Sequence, residues 1–344
     1  MKKQKSISIK EIAKLSNVSV ATVSRVINDN GRFSQETKER VEKVIKEHNY
    51  TTNMAARSLR SSKSKTVGLI LPNIDNEWFS LLALEIEKYF FDHKYSVFIC
   101  NTSRDDKKEI EYFRSLDSKL VDGIICISGI EKIPTNVVTR DIPIVCIDRK
   151  PIDHIDAYYV ESNHYSGGYM ATEELIKQGC KDIAIISRKR TLSVNRQRCE
   201  GYRQALLDHH LKIDPELEIF INEDEGSNTE GAKDAIKKLV KSGKKFDGVF
   251  ATNDWRAYGV IQGLFSLNIK VPEQVKVVGF DDIFISKMSN PSISTIKQDI
   301  PGLSQKACGL LLDLMNGIEI SDDKRHTILP VTFIPRESTK KSTD

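Results

Sequence analysis

The chain has 344 residues, of which 39% are hydrophobic and 29% charged, a composition typical of a folded protein with apolar cores. Its 52 Lys and Arg and 48 Asp and Glu give a formal net charge of +4. The first 65 residues hold 15 Lys and Arg against 6 Asp and Glu, so the remainder holds 37 against 42. A basic block on an acidic remainder predicts a polyanionic partner for the block. The other interpretation, a solvated basic tail, requires a block without apolar periodicity.

The six cysteines are dispersed and form no C-x-x-C pair. Cys100, Cys126 and Cys146 lie in or beside apolar runs, so we interpret them as small core residues in a reducing compartment. The basic N-terminus lacks the apolar segment of a secretory signal, and no apolar run approaches the roughly 20 residues of a membrane span. We therefore expect a cytoplasmic protein.

Two short helices joined by a tight turn are predicted near the N-terminus, the arrangement called helix-turn-helix. Ser8 and Glu11 match a capping box at the first helix, which ends near Asn17, a residue that tolerates the left-handed conformation of a turn. Ser19 caps the second helix, and Ser34 caps a third over residues 35–48. The apolar positions assigned to the cores of these helices are Ile9, Ile12, Ala13, Leu15, Val23, Val26, Ile27, Val41, Val44 and Ile45.

The outward face of the second helix carries small and polar residues near its start, which would let the helix enter a major groove. An arginine on this face can hold a guanine in bidentate fashion or a phosphate. The alternative is a small helical packing domain with a solvated basic face. The residues of the outward face are Val20, Ala21, Thr22, Ser24 and Arg25.

The run NMAARSLR at residues 53–60, followed by a Ser/Lys linker over 61–65, separates the basic block from the rest of the chain. It is rich in helix formers and places Ala56 and Leu59 on one face. So short a helix is marginal in water because helix nucleation is costly. We therefore expect it to be helical only when it packs against a partner, which makes it a candidate switch.

From residue 66 onward, apolar runs such as TVGLIL, GIICI and VKVVGF alternate with helical patterns, and the alternation restarts near Ser162. Buried strands that alternate with helices are typical of doubly wound parallel sheets, and this chain is too long for one such sheet. The predicted fold class is therefore α/β, with an all-α headpiece and a two-lobed body. Ligands of such sheets bind at the carboxyl ends of the strands, so the cleft between the lobes is the expected site.

The sequence contains no motif for catalysis, nucleotide binding or metal binding: it lacks G-x-x-x-x-G-K-[ST], G-x-G-x-x-G after a strand, H-E-x-x-H and zinc-ligand spacing. Polar residues do follow successive predicted strands, and planar donors and acceptors beside an aromatic face suit a polyol. Each alone has a simpler explanation as a core aromatic, an ion pair or a helix cap, but together they favour a sugar site. They are Asn76, Trp78, Phe79, Asp148, Arg149, Arg196, Arg198, Asn253, Asp254, Asp281 and Gln298.

The strings IKEIAKLSNVSVATVSRVIN, SQETKERV, NMAARSLR and TVGLILP closely resemble the LacI family of bacterial transcriptional regulators, over essentially the whole chain. The resemblance implies a helix-turn-helix headpiece at 1–52, a hinge helix and linker at 53–65, and a periplasmic-binding-protein-like body at 66–340. The last segments of such bodies cross between the lobes. The implied lobes are 66–161 plus 294–325 and 162–293 plus 326–340.

For DNA binding, the resemblance implies base readers on the second helix and a hinge leucine, Leu59, that wedges between base pairs in the minor groove. Asn17 and Thr52 stand where the family usually has glycine and proline. The implied DNA contacts are Ser19, Val20, Ala21, Thr22, Ser24, Arg25, Asn28, Asn53, Ala56, Arg57, Leu59 and Arg60.

The body resembles periplasmic ribose-binding proteins, whose fold LacI-family bodies share. The resemblance implies that Trp78 and Phe79 stack on the sugar ring. The aromatic residue usual in a later loop is not evident within residues 222–226, which leaves room for a ketose or a disaccharide. The residues expected to hold sugar hydroxyls are Asn76, Asp148, Arg149, Arg198, Asn253, Asp281 and Gln298, with Arg196 assigned to the same site.

We therefore expect a homodimeric repressor of a carbohydrate operon, released from palindromic double-stranded DNA by ribose or a similar sugar. No cofactor, metal or membrane partner is expected, and the sign of the sugar response stays open. One alternative is a catabolite-control regulator of the same family that binds a phosphorylated carrier protein through its first lobe. The other is a cytosolic sugar-processing enzyme, which would need an acid–base pair or a cofactor motif.

Overall fold

The computed structural model describes residues 7–27, 29–48, 50, 63–127, 133–148, 158–188, 193–221 and 228–340. It divides into two compact units, Met1–Ser64 and Lys65–Asp344, which we call the headpiece and the body. Several residues predicted to bind DNA or sugar lie outside the described residues, as does the hinge helix. They are Asn28, Asn53, Ala56, Arg57, Leu59, Arg60 and Arg149.

The headpiece contains three helices, α1 (Ile9–Leu15), α2 (Val20–Ile27) and α3 (Gln35–Glu47). The predicted capping box at Ser8 is present, and the Ser19 hydroxyl accepts a 3.0 Å hydrogen bond from the Thr22 amide. Asn17 has a φ of 53°, so the left-handed turn predicted between α1 and α2 is confirmed. The two caps and the turn thus fix where both helices of the helix-turn-helix motif begin and where the first one ends.

The core of the headpiece consists of Ile12, Ala13, Val23, Val26 and Val41. The prediction that Leu15 is buried is wrong, since Leu15 is 53% exposed and Ser16 is fully buried instead. Positions 9, 12, 13 and 16 form one stripe of a helix, and position 15 lies off it.

The body consists of two six-stranded sheets covered by helices. Its strands are β1 (Thr66–Leu71), β2 (Ser96–Asn101), β3 (Gly123–Ile127), β4 (Ile144–Ile147), β5 (Tyr158–Ser162), β6 (Ile183–Arg188), β7 (Glu218–Ile221), β8 (Gly248–Ala251), β9 (Lys276–Asp281), β10 (Ser294–Lys297), β11 (His326–Leu329) and β12 (Thr332–Ile334). Its helices are α4 (Glu77–Asp92), α5 (Asp106–Ser118), α6 (His164–Lys177), α7 (Ser193–Asp208), α8 (Asn228–Lys241), α9 (Asp254–Phe265), α10 (Phe284–Met288) and α11 (Ile300–Met315).

The sheets define two lobes. The first sheet has the order β11-β5-β4-β3-β1-β2 and is parallel throughout, and the second has the order β12-β10-β9-β8-β6-β7, with β12 alone antiparallel. The doubly wound α/β prediction is confirmed. The first lobe carries the first sheet and the second lobe carries the second.

The predicted lobe boundaries need two corrections. β10 pairs with β9 in the second sheet, whereas residues 294–325 were assigned to the first lobe. β11 pairs with β5 in the first sheet, whereas residues 326–340 were assigned to the second lobe. Periodicity identifies a strand but does not select its partner, and these short terminal strands carry no loop signal that fixes the sheet they join.

The two lobes touch across the cleft. Ile283, from the loop after β9, belongs to the apolar cluster of the first lobe, and Trp255 packs against the same cluster. Both carboxylate oxygens of Glu77 on α4 lie 2.9 Å from the Phe284 amide at the start of α10. Among the described helices, none is both long and apolar enough to cross a bilayer.

Candidate functional site

Polar side chains from distant segments meet at the carboxyl ends of the strands of the second sheet. Asp281 ends β9, Gln298 follows β10, and Asn253 lies two residues beyond β8, all at most 8% exposed. Arg198 reaches the same place from the first half of α7 and is 6% exposed. Of these four residues, Arg198, Asp281 and Gln298 contact one another at the strand ends.

Arg198 is the centre of this cluster. Its Nη1 donates to the Thr252 carbonyl at 2.5 Å, and its Nη2 lies 3.5 Å from Asp281 Oδ1. The guanidinium also lies over the Phe280 ring, 3.5 Å from the ring centroid. Gln298 Nε2 donates to the same Asp281 oxygen at 2.7 Å. A planar cation, a carboxylate and an amide are thereby held beside one another, the groups that suit vicinal hydroxyls.

Burial decides the charge state of this cluster. It raises the pKa of Asp281 to about 6, although Arg198 and the Gln298 amide favour the charged form. Burial also lowers the pKa of Arg198, while Asp281 opposes that shift. Asp254, which is fully buried, has a pKa well above its usual value because of desolvation and the nearby Asp281. Burial thus opposes the charged forms of Arg198, Asp281 and Asp254 alike.

Asn253 and Asp254 have separate structural tasks. Asn253 caps α9, its side-chain oxygen accepting from the Arg256 amide at 2.8 Å. Asp254 accepts hydrogen bonds from the Ile283 amide at 2.9 Å and from the Thr295 hydroxyl at 2.5 Å. It thus joins the loop after β9 to strand β10, while the buried Arg256 donates to the Thr252 hydroxyl at 3.0 Å.

The first lobe contributes Asp148, which follows β4 and is 5% exposed. Its carboxylate accepts from the Ser162 amide at 3.1 Å and contacts His164 Nε2 at 2.9 Å. Asp148 and Asp281 have positive φ values of 50° and 113°. Backbone held in such a conformation at two facing strand ends is typical of functional sites.

The predicted aromatic residues pack in and against the core of the first lobe. Asn76 caps α4 by accepting from the Trp78 amide at 3.0 Å. Trp78 is only 5% exposed and belongs to the apolar cluster of the first lobe, and Phe79 packs against that cluster. The buried Trp78 Nε1 and Gln298 Oε1 have no hydrogen-bond partner among the described residues.

Arg196 is a predicted sugar contact that lies outside this cluster. Its side chain is 62% exposed and lies 3.9 Å from Glu200 one turn along α7. Residues two apart on a helix point about 200° apart, so Arg196 and Arg198 cannot both face the cleft.

Sequence reasoning missed His164 and Arg256. His164 lies two residues beyond the end of β5, and the same strand-end argument that selected Asp148 applies to it. Arg256 carries no comparable signal, because it lies inside α9 and is buried by its neighbours. Among the described residues, no group of three or more His, Cys, Asp and Glu side chains is arranged to hold a metal ion.

The candidate DNA-contacting residues of the headpiece lie at or near the surface of α2. Ala21 and Arg25 are exposed, whereas Val20, Thr22 and Ser24 are half-buried, with Val20 packed against the core. The Ser19 and Thr22 hydroxyls lie 2.9 Å apart at the helix start. Small groups at the N-terminus and an exposed arginine near the C-terminus fit a helix that enters a major groove.

Comparison with known proteins decides the family. The sequence profile of the bacterial regulatory proteins of the lacI family matches residues 8–53, and that of the periplasmic binding protein-like domain matches residues 172–339. The chain is 35% identical to the HTH-type transcriptional regulator RegA of Clostridium saccharobutylicum, over 96% of this chain and 99% of the relative. The chain belongs to the LacI family. It is a DNA-binding transcriptional regulator, like the other members of that family.

Further comparisons agree over nearly the full length. The chain is 32% identical to the ribose operon repressor of Halalkalibacterium halodurans, over 97% of both proteins. A LacI-type regulator of Alkaliphilus metalliredigens, solved in complex with D-xylulofuranose, is 30% identical with a TM-score of 0.70, covering 80% of this chain and all of that one. The lac repressor dimer bound to operator and anti-inducer has a TM-score of 0.83 over 97% and 99% of the chains, and its 23% identity shows the shared fold alone.

Proposed function

We propose that this LacI-family regulator is a cytoplasmic homodimer that represses a carbohydrate-utilisation operon and leaves a palindromic operator when a small sugar binds in the cleft. The cluster of Arg198, Asp281 and Gln298 carries this proposal, because it places charged and amide groups side by side in a buried cleft. The relatives named for a ribose operon and for bound D-xylulofuranose support a pentose. We accordingly name D-ribose and D-xylulose as the first effectors to test.

The sugar would be held between the lobes. Arg198, Asp281, Gln298 and Asn253 would bind hydroxyls from the second lobe, with Asn76, Asp148 and Arg149 opposite. Phe79 and the edge of Trp78 would line the apolar ring face. A ligand shifts the equilibrium between open and closed lobes only if it binds one of these states more tightly, as a sugar that contacts both lobes would.

On the DNA side, each headpiece would read one half of an inverted repeat with α2, because a two-fold dimer matches a palindrome. The lac repressor dimer on its operator supports this arrangement. The contacts would come from Ser19, Val20, Ala21, Thr22, Ser24, Arg25 and Asn28 on or beside α2, and from Asn53, Ala56, Arg57, Leu59 and Arg60 in the hinge. Phosphate contacts would make the affinity salt-dependent. We assign the protein no catalytic role.

Operator binding with and without sugar tests the proposal. The operator is first selected from random duplexes by the full-length protein, and its affinity is then measured by fluorescence anisotropy with D-ribose, D-xylulose, D-fructose, sucrose and the sugar phosphates. We expect a pentose to weaken operator binding by about 5–150-fold, the usual range of allosteric coupling. A response to a phosphorylated carrier protein and to none of these sugars would support the catabolite-control alternative. Selected duplexes that contain no inverted repeat would contradict the dimeric arrangement.

A further inference from the structure

His164 stands between the two lobes and is the first residue of α6, two residues after β5 ends. Its side chain is fully buried. On one side it faces Arg198 from the second lobe, and on the other it faces Asp148 from the first. It is therefore the side chain through which these two candidate sugar contacts touch.

The partners of His164 fix its tautomer. Arg198 Nε lies 3.3 Å and Arg198 Nη2 lies 3.2 Å from His164 Nδ1. A guanidinium has only donors, so Nδ1 must accept and cannot carry the proton. The ring proton is then on Nε2, which donates to Asp148 Oδ1 over 2.9 Å. His164 is thus a neutral imidazole that accepts from Arg198 through Nδ1 and donates to Asp148 through Nε2.

Two glycines hold this geometry. A Cβ built on Gly168 of α6 would lie 2.1 Å from the Arg198 carbonyl oxygen, and one built on Gly201 of α7 would lie 2.1 Å from the Tyr165 carbonyl oxygen. The two helices therefore approach as closely as backbones allow. His164 and Arg198 are consequently fixed relative to each other by backbone contact.

Asp148 connects the hydrogen-bonded series Arg198–His164–Asp148 to the segment after β5, where the chain first crosses between the lobes. The oxygen that receives His164 Nε2 also accepts from the Ser162 amide at 3.1 Å. The Asp148 amide in turn donates to the Val160 carbonyl at 3.0 Å. The carboxylate thus joins the end of β4 to the segment where the chain leaves the first lobe and enters the second.

The contacts of Arg198 differ in strength. Its bond to the Thr252 carbonyl is short, at 2.5 Å, and the Phe280 ring supports one face of the guanidinium. The contacts to His164 and Asp281 are between 3.2 and 3.5 Å, near the outer limit for a hydrogen bond. A sugar hydroxyl that binds Nε therefore competes with His164, and one that binds Nη2 competes with both His164 and Asp281.

We propose that His164 is a positioning residue that couples sugar binding at Arg198 to Asp148 and to the crossover between the lobes. The inference rests on the proposed function, since it needs a ligand that takes donors from Arg198. When those donors are taken, His164 Nδ1 loses its partners and the ring is freed to turn. Turning of the ring removes the Nε2 donor from Asp148, whose same oxygen accepts from the Ser162 amide at the crossover.

Two substitutions in the full-length protein separate this role from a merely structural one. His164→Gln keeps a donor for Asp148 and an acceptor for Arg198, whereas His164→Leu removes both. The readout is the ratio of operator Kd with saturating pentose to operator Kd without it, using whichever of D-ribose and D-xylulose releases the wild type. We expect His164→Gln to keep this ratio within about threefold of the wild-type ratio. His164→Leu should bring the ratio within about twofold of 1, whereas allosteric coupling usually gives a factor of about 5–150.

The matched control is His209→Leu, which makes the same change at an exposed position just after α7. It should leave the ratio unchanged. Equal ratios for His164→Leu and the wild type would overturn the inference, as would loss of coupling in a folded His164→Gln. A wild type that responds to neither pentose would instead refute the proposed function.

A spectroscopic measurement covers the case in which His164→Leu does not fold. In ¹⁵N-histidine-labelled wild type, with His164 assigned through His164→Gln, we expect the Nε2–H tautomer before sugar is added. Saturating pentose should move the Nδ1 resonance toward that of an acceptor without hydrogen bonds. A resonance that does not move on saturation would overturn the inference.

Discussion

In the headpiece, the side chains assigned to DNA contact are exposed or half-buried on α2, whereas the polar side chains of the cleft are buried and already bonded to one another. Arg25 illustrates the first group, and Arg198, with its contacts to Thr252, Asp281 and His164, illustrates the second. Exposed groups cost little free energy to leave unpaired, but buried charges must be paired before a ligand arrives. The headpiece can therefore lose a contact without losing its fold, while the cleft binds by exchanging internal partners for a ligand.

The largest expected effect follows from removing the central cation of the cleft. Arg198→Leu leaves Asp281 and Asp148 buried without it, so we expect the free energy of unfolding of the body to fall by about 3–5 kcal/mol. Denaturant unfolding followed by tryptophan fluorescence measures this, since both tryptophans, Trp78 and Trp255, are in the body. Arg196→Leu is the matched control and should change stability by no more than about 0.5 kcal/mol. Equal effects of the two substitutions would mean that burial does not distinguish these arginines.

Asp281 gives the stability of the body a pH dependence. Its pKa of about 6 in the folded protein exceeds the value of about 3.9 expected in the unfolded chain. Between these values the folded state binds more protons, so this group's contribution to stability falls as the pH rises from about 4 to about 6. The difference in free energy of unfolding between the wild type and Asp281→Asn should therefore change by about 3 kcal/mol across that pH window, at 1.36 kcal/mol per pKa unit. Parallel stability curves for the two proteins would contradict the raised pKa.

On the headpiece side, Arg25→Ala should weaken binding to the selected operator by about 1–3 kcal/mol, the cost of a lost bidentate base contact. Unfolding of the protein should not change, because Arg25 is exposed. Arg40→Ala on α3 is the control, with the same loss of charge at a position outside the recognition helix. A stability loss in Arg25→Ala that matches its affinity loss would show that the arginine is structural.

The smallest effect is expected at Asp254. Burial raises its pKa well above the usual value and so favours the uncharged carboxyl, which an amide resembles. Asp254→Asn should cost less than about 1 kcal/mol, whereas Asp254→Ala should cost about 1–3 kcal/mol, because the Ile283 amide and the Thr295 hydroxyl lose their partner. An Asp254→Asn protein as unstable as Asp254→Ala would indicate that Asp254 is charged.

Local signals in the sequence predict the headpiece closely. Ser8 with Glu11, Ser19 and Asn17 each act through bonds or torsions of their own segment, and all three predictions are confirmed. Strand ends are also predictable, because alternating apolar runs show where each strand stops. For this reason the sequence places Asp281 and Gln298 at strand ends, and in the fold both lie there, hydrogen-bonded to each other.

The rest depends on contacts between distant segments. The sequence does not give the phase of α7 relative to α6, so it predicts Arg196 and Arg198 together although only Arg198 faces the cleft. The sheet that β10 or β11 joins is set by packing of the whole body. His164 acquires its role only when α6 and α7 meet. Each of these features is a property of the assembled lobes.

The central claim is that one chain couples operator binding in the headpiece to sugar binding in the cleft. Coupling between two binding sites is reciprocal, so it can be measured from either end. Calorimetry of the full-length protein with the effective pentose, alone and saturated with operator, gives the factor by which DNA changes the sugar Kd. We predict that this factor equals the one by which the sugar changes the operator Kd. A sugar Kd that is the same with and without operator would contradict the account.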